Sequence, residues 1–306
     1  MFAPTKYLDP TVLARLDRLE LMVRAVVEGF LAGRHRSPFC GTAVEFAQRR
    51  AYVPGDDIRH IDWKVQARTD RMVIKQHQQE TNLPACFLVD VSESMGYGGA
   101  GGGLSKHRLA GCIAASLSLL LLRQRDAVSL ATFDERLRFE LEPSTRADQI
   151  HAVVRVLEKP PGRGKTLLEG VCGHMARRLG RRGLVCLISD LLGDLDGLVH
   201  GLRLLRHCGQ EVIVLHVLAQ DELTFPFQRY TRFVGMEQAG SATVAPRALR
   251  GEYLAAVRAF CDDARRRCIA CRADYRLIST ADNLAAALTA FLAARTAAVR
   301  KASGKR

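Results

Sequence analysis

Apolar residues follow two different periods along this chain. From Pro10 to about Leu31, the positions Leu13, Leu16, Leu19, Val23, Val26, Val27 and Phe30 recur at steps of three and four, with Arg and Glu between them. That spacing predicts an amphipathic helix. The runs Ala85 to Val89, Ala127 to Phe133, Leu184 to Ile188 and Val212 to Leu218 lack regular polar alternation. Such runs are expected of strands covered on both faces in a largely parallel sheet. Between them lie helix-period segments: Ser105 to Arg123, Arg146 to Leu157, Thr166 to Leu179 and Leu195 to His207. A short strand over Arg138 to Leu141 neighbours the second core strand. A helix over Gly251 to Cys271, a strand over Tyr275 to Ile278 and a helix over Asp282 to Ala298, capped by Asp282, complete the pattern. Phe225 to Arg250 reads as irregular, with one short edge strand. Strands alternating with helices predict an α/β fold with a three-layer, doubly wound, mostly parallel sheet.

The segment Arg34 to Lys75 breaks this rhythm. It holds Ser37-Pro38, the Tyr52 to Asp57 turn cluster and the sole tryptophan, Trp63. A strand over Val44 to Tyr52, a turn at Pro54-Gly55 and a short helix from Ile58 to Ala67 are expected there. The expected organisation is therefore an N-terminal helix and β-rich extension (1–80) packing on the sheet, the α/β domain (81–298) and a disordered basic tail (299–306).

Composition is that of a globular chain: 306 residues, 48% hydrophobic and 25% charged. The longest apolar run, Ile113 to Leu122, is about half the ~20 residues of a membrane-spanning helix. The first residues lack the basic, apolar and small-residue succession of an export signal. Nine cysteines, an odd number scattered through predicted elements, suit free thiols in a reducing cytoplasm. Cys268-x-x-Cys271 has no second Cys/His pair at metal spacing, so it reads as two unrelated thiols. The net charge of +13 favours acidic partners, nucleic acid or anionic surfaces, but it is dispersed in small clusters on solvated helix faces. No nucleic-acid-binding motif accompanies it.

The chemistry concentrates where the first core strand ends, at Asp90-x-Ser92-x-Ser94. Asp and Ser are also common in caps and turns. Two distant residues favour a metal site instead: Thr166, after the Gly162-Arg163-Gly164 loop, and Asp190, at the end of the Leu184 strand, should project from the same sheet edge. Carboxylate and hydroxyl oxygens suit Mg²⁺, with Mn²⁺ or Ca²⁺ as alternatives. Gly162 to Thr166 resembles the end of a P-loop, yet the first glycine is missing and the preceding segment is helical, so Lys165 is expected to be an exposed charge. Gly96-x-Gly98-x-x-Gly101 matches a dinucleotide fingerprint only because the run is glycine-rich. It reads as a flexible rim. Glu93, Asp134 and Asp194 could each serve as a base for metal-bound water, which keeps a metal-assisted hydrolase open as the alternative.

Asp90, Ser92, Ser94, Thr166 and Asp190 together resemble the metal-ion-dependent adhesion site of von Willebrand factor A domains. Upstream, Gly41-Thr42-x-x-Glu45-Phe46, Arg50-x-Tyr52-x-Pro54-Gly55-Asp56-Asp57-x-Arg59-x-Ile61-Asp62-Trp63 and Ala67-Arg68 resemble the bacterial domain-of-unknown-function family 58 over roughly residues 30 to 290. The resemblance implies a cytoplasmic, non-enzymatic, metal-dependent protein-binding module. It also implies pairing with a MoxR-type AAA ATPase, in a chaperone-like or assembly role, and an ion that binds an acidic side chain of the partner. Arg59, Asp62 and Trp63 are expected to join the extension to the sheet, with the tryptophan buried and the other two paired.

Overall fold

The computed structural model describes residues 84–100, 102–162, 164–180, 182–236, 240–284 and 288, together with 19, 21–23, 26–27, 49–52, 63–69 and 72–75. The chain divides into two compact units, one of residues 34–82 and one of 1–33 with 83–306. In the smaller unit, β1 (Arg49–Ala51) pairs antiparallel with β2 (Val73–Lys75), and α1 (Trp63–Thr69) lies between them in sequence. Trp63 is 60% exposed and not buried as expected. Val44, Pro54-Gly55, Arg59, Asp62 and the tail 299–306 lie outside the described residues.

The larger unit is built on a six-stranded sheet. Its strands are β3 (Ala85–Asp90), β4 (Val128–Phe133), β5 (Leu137–Ser144), β6 (Gly183–Ser189), β7 (Gln210–Leu218) and β10 (Asp274–Ser279), in the order β10-β7-β6-β3-β4-β5. All neighbours are parallel except β4 and β5, which form an antiparallel edge. This is a doubly wound order, and the strand sequence reverses direction between β3 and β6.

Alternate residues of each strand enter opposite cores. Ala85, Phe87 and Val89 of β3, with Cys186 and Ile188 of β6, pack with α2 (Lys106–Arg123) and α3 (Gln149–Leu157). Cys86 and Leu88, with Val185 and Leu187, pack with α4 (Leu168–Arg178), α5 (Leu195–His207) and α7 (Pro246–Ala270). The three layers follow from that period-two burial of uniformly apolar strands. Residues 19, 21–23, 26 and 27 are helical, and Leu19, Met22, Val23, Val26 and Val27 join the first core. The apolar stripe of this segment thus has its partners on the sheet side of the fold. Leu284 and Leu288 are also helical and buried in that core. Asp282 turns back to accept a hydrogen bond from the Ser279 N–H (2.8 Å).

Two further departures concern residues 225–250. After the short helix α6 (Gln220–Thr224), an antiparallel hairpin of β8 (Thr231–Val234) and β9 (Ser241–Val244) occupies what reads as irregular sequence. Helix α7 begins at Pro246, five residues before Gly251, because proline at the first helical position loses no hydrogen bond.

Between α3 and α4 the chain changes faces, crossing the carboxyl end of the sheet. Gly162 N–H donates to Val91 O (2.6 Å), Gly164 O accepts from Glu93 N–H (3.1 Å), and Leu167 N–H donates to Asp134 O (3.1 Å). Thr166 rides on this crossing, in an isolated parallel bridge with Gly193 and not in a helix.

Candidate metal centre

Asp90 is the last residue of β3, at the reversal point of the sheet where doubly wound folds place their ligand crevice. It is fully buried, as are Ser92 and Asp190, and Ser94 and Thr166 are nearly so. Asp90 Oδ1 accepts the Ser92 N–H (2.8 Å), which folds the chain back so that Ser92 Oγ and Ser94 Oγ lie 3.1 Å apart. Asp90 Oδ2 accepts the hydroxyls of Thr166 (2.9 Å) and Ser189 (2.6 Å). Four of the five expected residues therefore share one buried cluster of oxygen atoms. Ser189, the last residue of β6, joins them unforeseen, and its signal was a lone polar residue closing an apolar strand. Its Oγ also accepts the Leu191 N–H (2.9 Å), which helps hold Leu191 at φ 54°, a backbone conformation that costs free energy outside glycine.

Burial first, and then the neighbouring Asp190 charge, push the Asp90 carboxyl up to about 7 against the hydrogen bonds from Ser189 and Ser92. A carboxylate so placed gains most from a cation.

Asp190, the fifth residue, is held differently. Its Oδ2 accepts from Lys106 Nζ (2.8 Å), which also donates to Glu222 Oε1 (2.8 Å), and its Oδ1 accepts the Leu192 N–H (3.1 Å). Burial alone would lower the Lys106 pKa, but the charges of Asp190 and Glu222 outweigh it and hold the ammonium above the ordinary lysine range. Beneath Asp190, His216 Nε2 lies 2.8 Å from the Asp190 carbonyl oxygen and Nδ1 lies 2.7 Å from Tyr275 Oη. A carbonyl only accepts, so Nε2 carries the proton and Nδ1 accepts from the tyrosine. Burial lowers the His216 pKa to about 4, keeping this ring neutral. Lys106, Glu222 and His216 were all missed; the trace His216 leaves in sequence is one imidazole inside the apolar run of β7.

The other nominated carboxylates are engaged. Asp134 is fully buried, accepts from Arg138 Nε (2.6 Å) and the Arg136 N–H (3.2 Å), and lies against Gly162 and Gly164. Asp194 caps α5 by accepting the Asp196 and Gly197 N–H groups. Lys165 is exposed, as expected. Gly99, at φ 83°, packs against Asp221, whose Oδ2 accepts the Ala100 N–H (2.7 Å). Cys268 and Cys271 are separate buried free thiols. Among the described residues no three His, Cys, Asp or Glu side chains gather as a metal site. The cluster at Asp90 has instead the hydroxyl-rich, hard-oxygen character that suits Mg²⁺, and its donors converge on one another. The donor chemistry fits such an ion, with the difference that Asp190 is already ion-paired.

A doubly wound α/β protein with a buried oxygen cluster at its strand-order reversal is the class that fold and site define. The chain belongs to the family described as "Protein of unknown function DUF58", which matches residues 48–261. Uncharacterized protein Rv1480 of Mycobacterium tuberculosis and uncharacterized protein Mb1516 of Mycobacterium bovis are each 30% identical over 227 residues, covering 71% of this chain and 68% of theirs. Among solved structures, the conserved hypothetical protein BatB from Bacteroides thetaiotaomicron is similar at a TM-score of 0.48 and 14% identity, over 71% of this chain and 99% of that one. The SpRpn10 VWA domain is similar at 0.38 and 13%, over 68% and 94%. Among the described residues no helix is long and apolar enough to cross a membrane.

Proposed function

We propose that this chain is a non-enzymatic, divalent-metal-dependent protein-binding module that works in the cytoplasm with a MoxR-type AAA ATPase, in protein assembly or a chaperone-like role. The observation that carries the reading is the convergence of Asp90, Ser92, Ser94 and Thr166, from distant segments, into one buried set of hard oxygen donors. Those four residues would hold Mg²⁺, or Mn²⁺ or Ca²⁺ in its place, and Asp190 would support them through its charge. Bound there, the ion supplies an open coordination position for an acidic side chain of the partner. Neutral hydroxyls dominate the set, which leaves the ion electrophilic. Engagement of Asp134 and Asp194 in structural contacts favours binding over hydrolysis, since both carboxylates already serve the loop and the α5 cap. The ATPase partner and the assembly role rest on the family resemblance.

The test is retention of an AAA ATPase from lysate by the immobilised protein. Retention is expected with Mg²⁺, and its loss with chelator and with Asp90→Ala in a protein whose circular dichroism is unchanged. Equal retention in all three conditions would overturn the reading.

A further inference from the structure

Lys106 breaks three local rules at once. It is wholly buried, it is the first residue of an 18-residue helix, and it sits among the residues offered to a cation. Lysine is seldom buried unless paired. A positive charge at a helix N-terminus also opposes the helix dipole. Nor does the helix need it there as a cap, because Ser105 already fills that position by accepting the Arg108 N–H. What keeps the side chain in place is the pair of carboxylates, Asp190 and Glu222, each 2.8 Å from Nζ. Where a residue violates local preference with strong long-range compensation, a functional constraint is the expected reason.

We propose that Lys106 is a tethered cation that neutralises Asp190 beside the Asp90 cluster and thereby sets, and weakens, the affinity of that cluster for a divalent ion. Charge supports this. Asp90, Asp190 and Glu222 carry three negative charges when ionised, and Lys106 cancels one. The cluster then coheres without a divalent ion, and an entering ion meets a site already partly neutralised. Like charges repel strongly in a desolvated crevice, so a buried ammonium beside the donors opposes a second cation. An affinity held down in this way makes loading reversible and responsive to the local ion concentration. This inference rests on the metal reading above and assigns Lys106 a tuning role within it.

Mg²⁺ titrated into purified protein by calorimetry tests it, with circular dichroism as the folding control. Lys106→Met is expected to bind Mg²⁺ roughly tenfold or more tightly than wild type. Its melting temperature without metal should fall, and added Mg²⁺ should raise that temperature more than in wild type. Should Lys106→Met alone not fold, Asp190→Asn and the doubly substituted Lys106→Met/Asp190→Asn supply the same comparison with the buried pair removed together. The double variant is expected to bind more tightly than Asp190→Asn, which retains the ammonium with Glu222 as its one remaining carboxylate partner. If wild type binds Mg²⁺ and removal of Lys106 leaves affinity unchanged or weaker in both backgrounds, the role assigned to Lys106 is overturned while the metal reading stands. If no form binds Mg²⁺, the metal reading itself is overturned, and the tuning role with it.

Discussion

A carboxyl group buried beside a second one must either take a proton or find a cation, and Asp90 has both choices. Its pKa of about 7 in the fold lies above the ordinary 3.8, so without metal it is protonated in the native chain under conditions where the unfolded chain has lost the proton. The stability it contributes is fully present below the unfolded value and is lost as pH rises through about 7. The loss amounts to at most about 4 kcal/mol, because each pKa unit is worth about 1.4 kcal/mol. His216 works in the opposite sense. Its pKa falls from 6.5 to about 4, so its contribution is lost as pH drops through that interval. The stability of wild type relative to Asp90→Asn, read from denaturant midpoints in chelator from pH 4 to 7.5, is therefore expected to decline as pH rises, His216 contributing equally to both proteins. A difference that stays constant with pH would contradict the assignment. At this scale the oxygen donors were legible in sequence because Asp90, Ser92 and Ser94 are adjacent and Thr166 and Asp190 close identifiable segments. Lys106 and Glu222 were not, since their meaning lies in a meeting across 116 positions of chain.

Strands and helices of the larger unit were legible as elements because their burial follows simple periods, and the doubly wound order follows from their alternation. The β8–β9 hairpin was hidden by short strands of mixed exposure, in which Thr231 and Phe233 are half-buried while Arg232 and Val234 are exposed. Delivery of Thr166 depends on the crossing loop, and there two glycines are required by space. A Cβ on Gly164 would lie 2.9 Å from Asp134 Oδ2, and one on Gly162 would lie 2.8 Å from the same atom. Since Asp134 is fixed by Arg138, the loop must yield. Gly164→Ala is expected to cost about 1–3 kcal/mol in stability and to weaken Mg²⁺ binding severalfold. Gly201→Ala, whose Cβ would lie 2.7 Å from Cys172 Cβ between α5 and α4, serves as the control. It is expected to cost a similar amount in chemical denaturation with Mg²⁺ affinity unchanged. Matching losses of affinity in both variants would remove the special role of the loop.

For the whole molecule, the sheet topology points to the strand-end crevice at β3 as the candidate site, where the parallel strands direct their carboxyl ends. Division of the chain was the least legible feature at this scale. The apolar stripe from Leu19 to Val27 announces a helix, and that helix lies in the core of the larger unit, whereas nothing in the hydrophobic pattern announces residues 34–82 as a separate unit. The net charge of +13 carried little information because it is spread over many helix faces. The central claim is that a divalent ion sits at the end of β3. Anomalous scattering from crystals grown with Mn²⁺ tests it most directly. The expected result is one strong peak within coordination distance of Asp90, Ser92, Ser94 and Thr166, with Lys106 still on Asp190. Absence of a peak there in crystals saturated with Mn²⁺ would contradict the account.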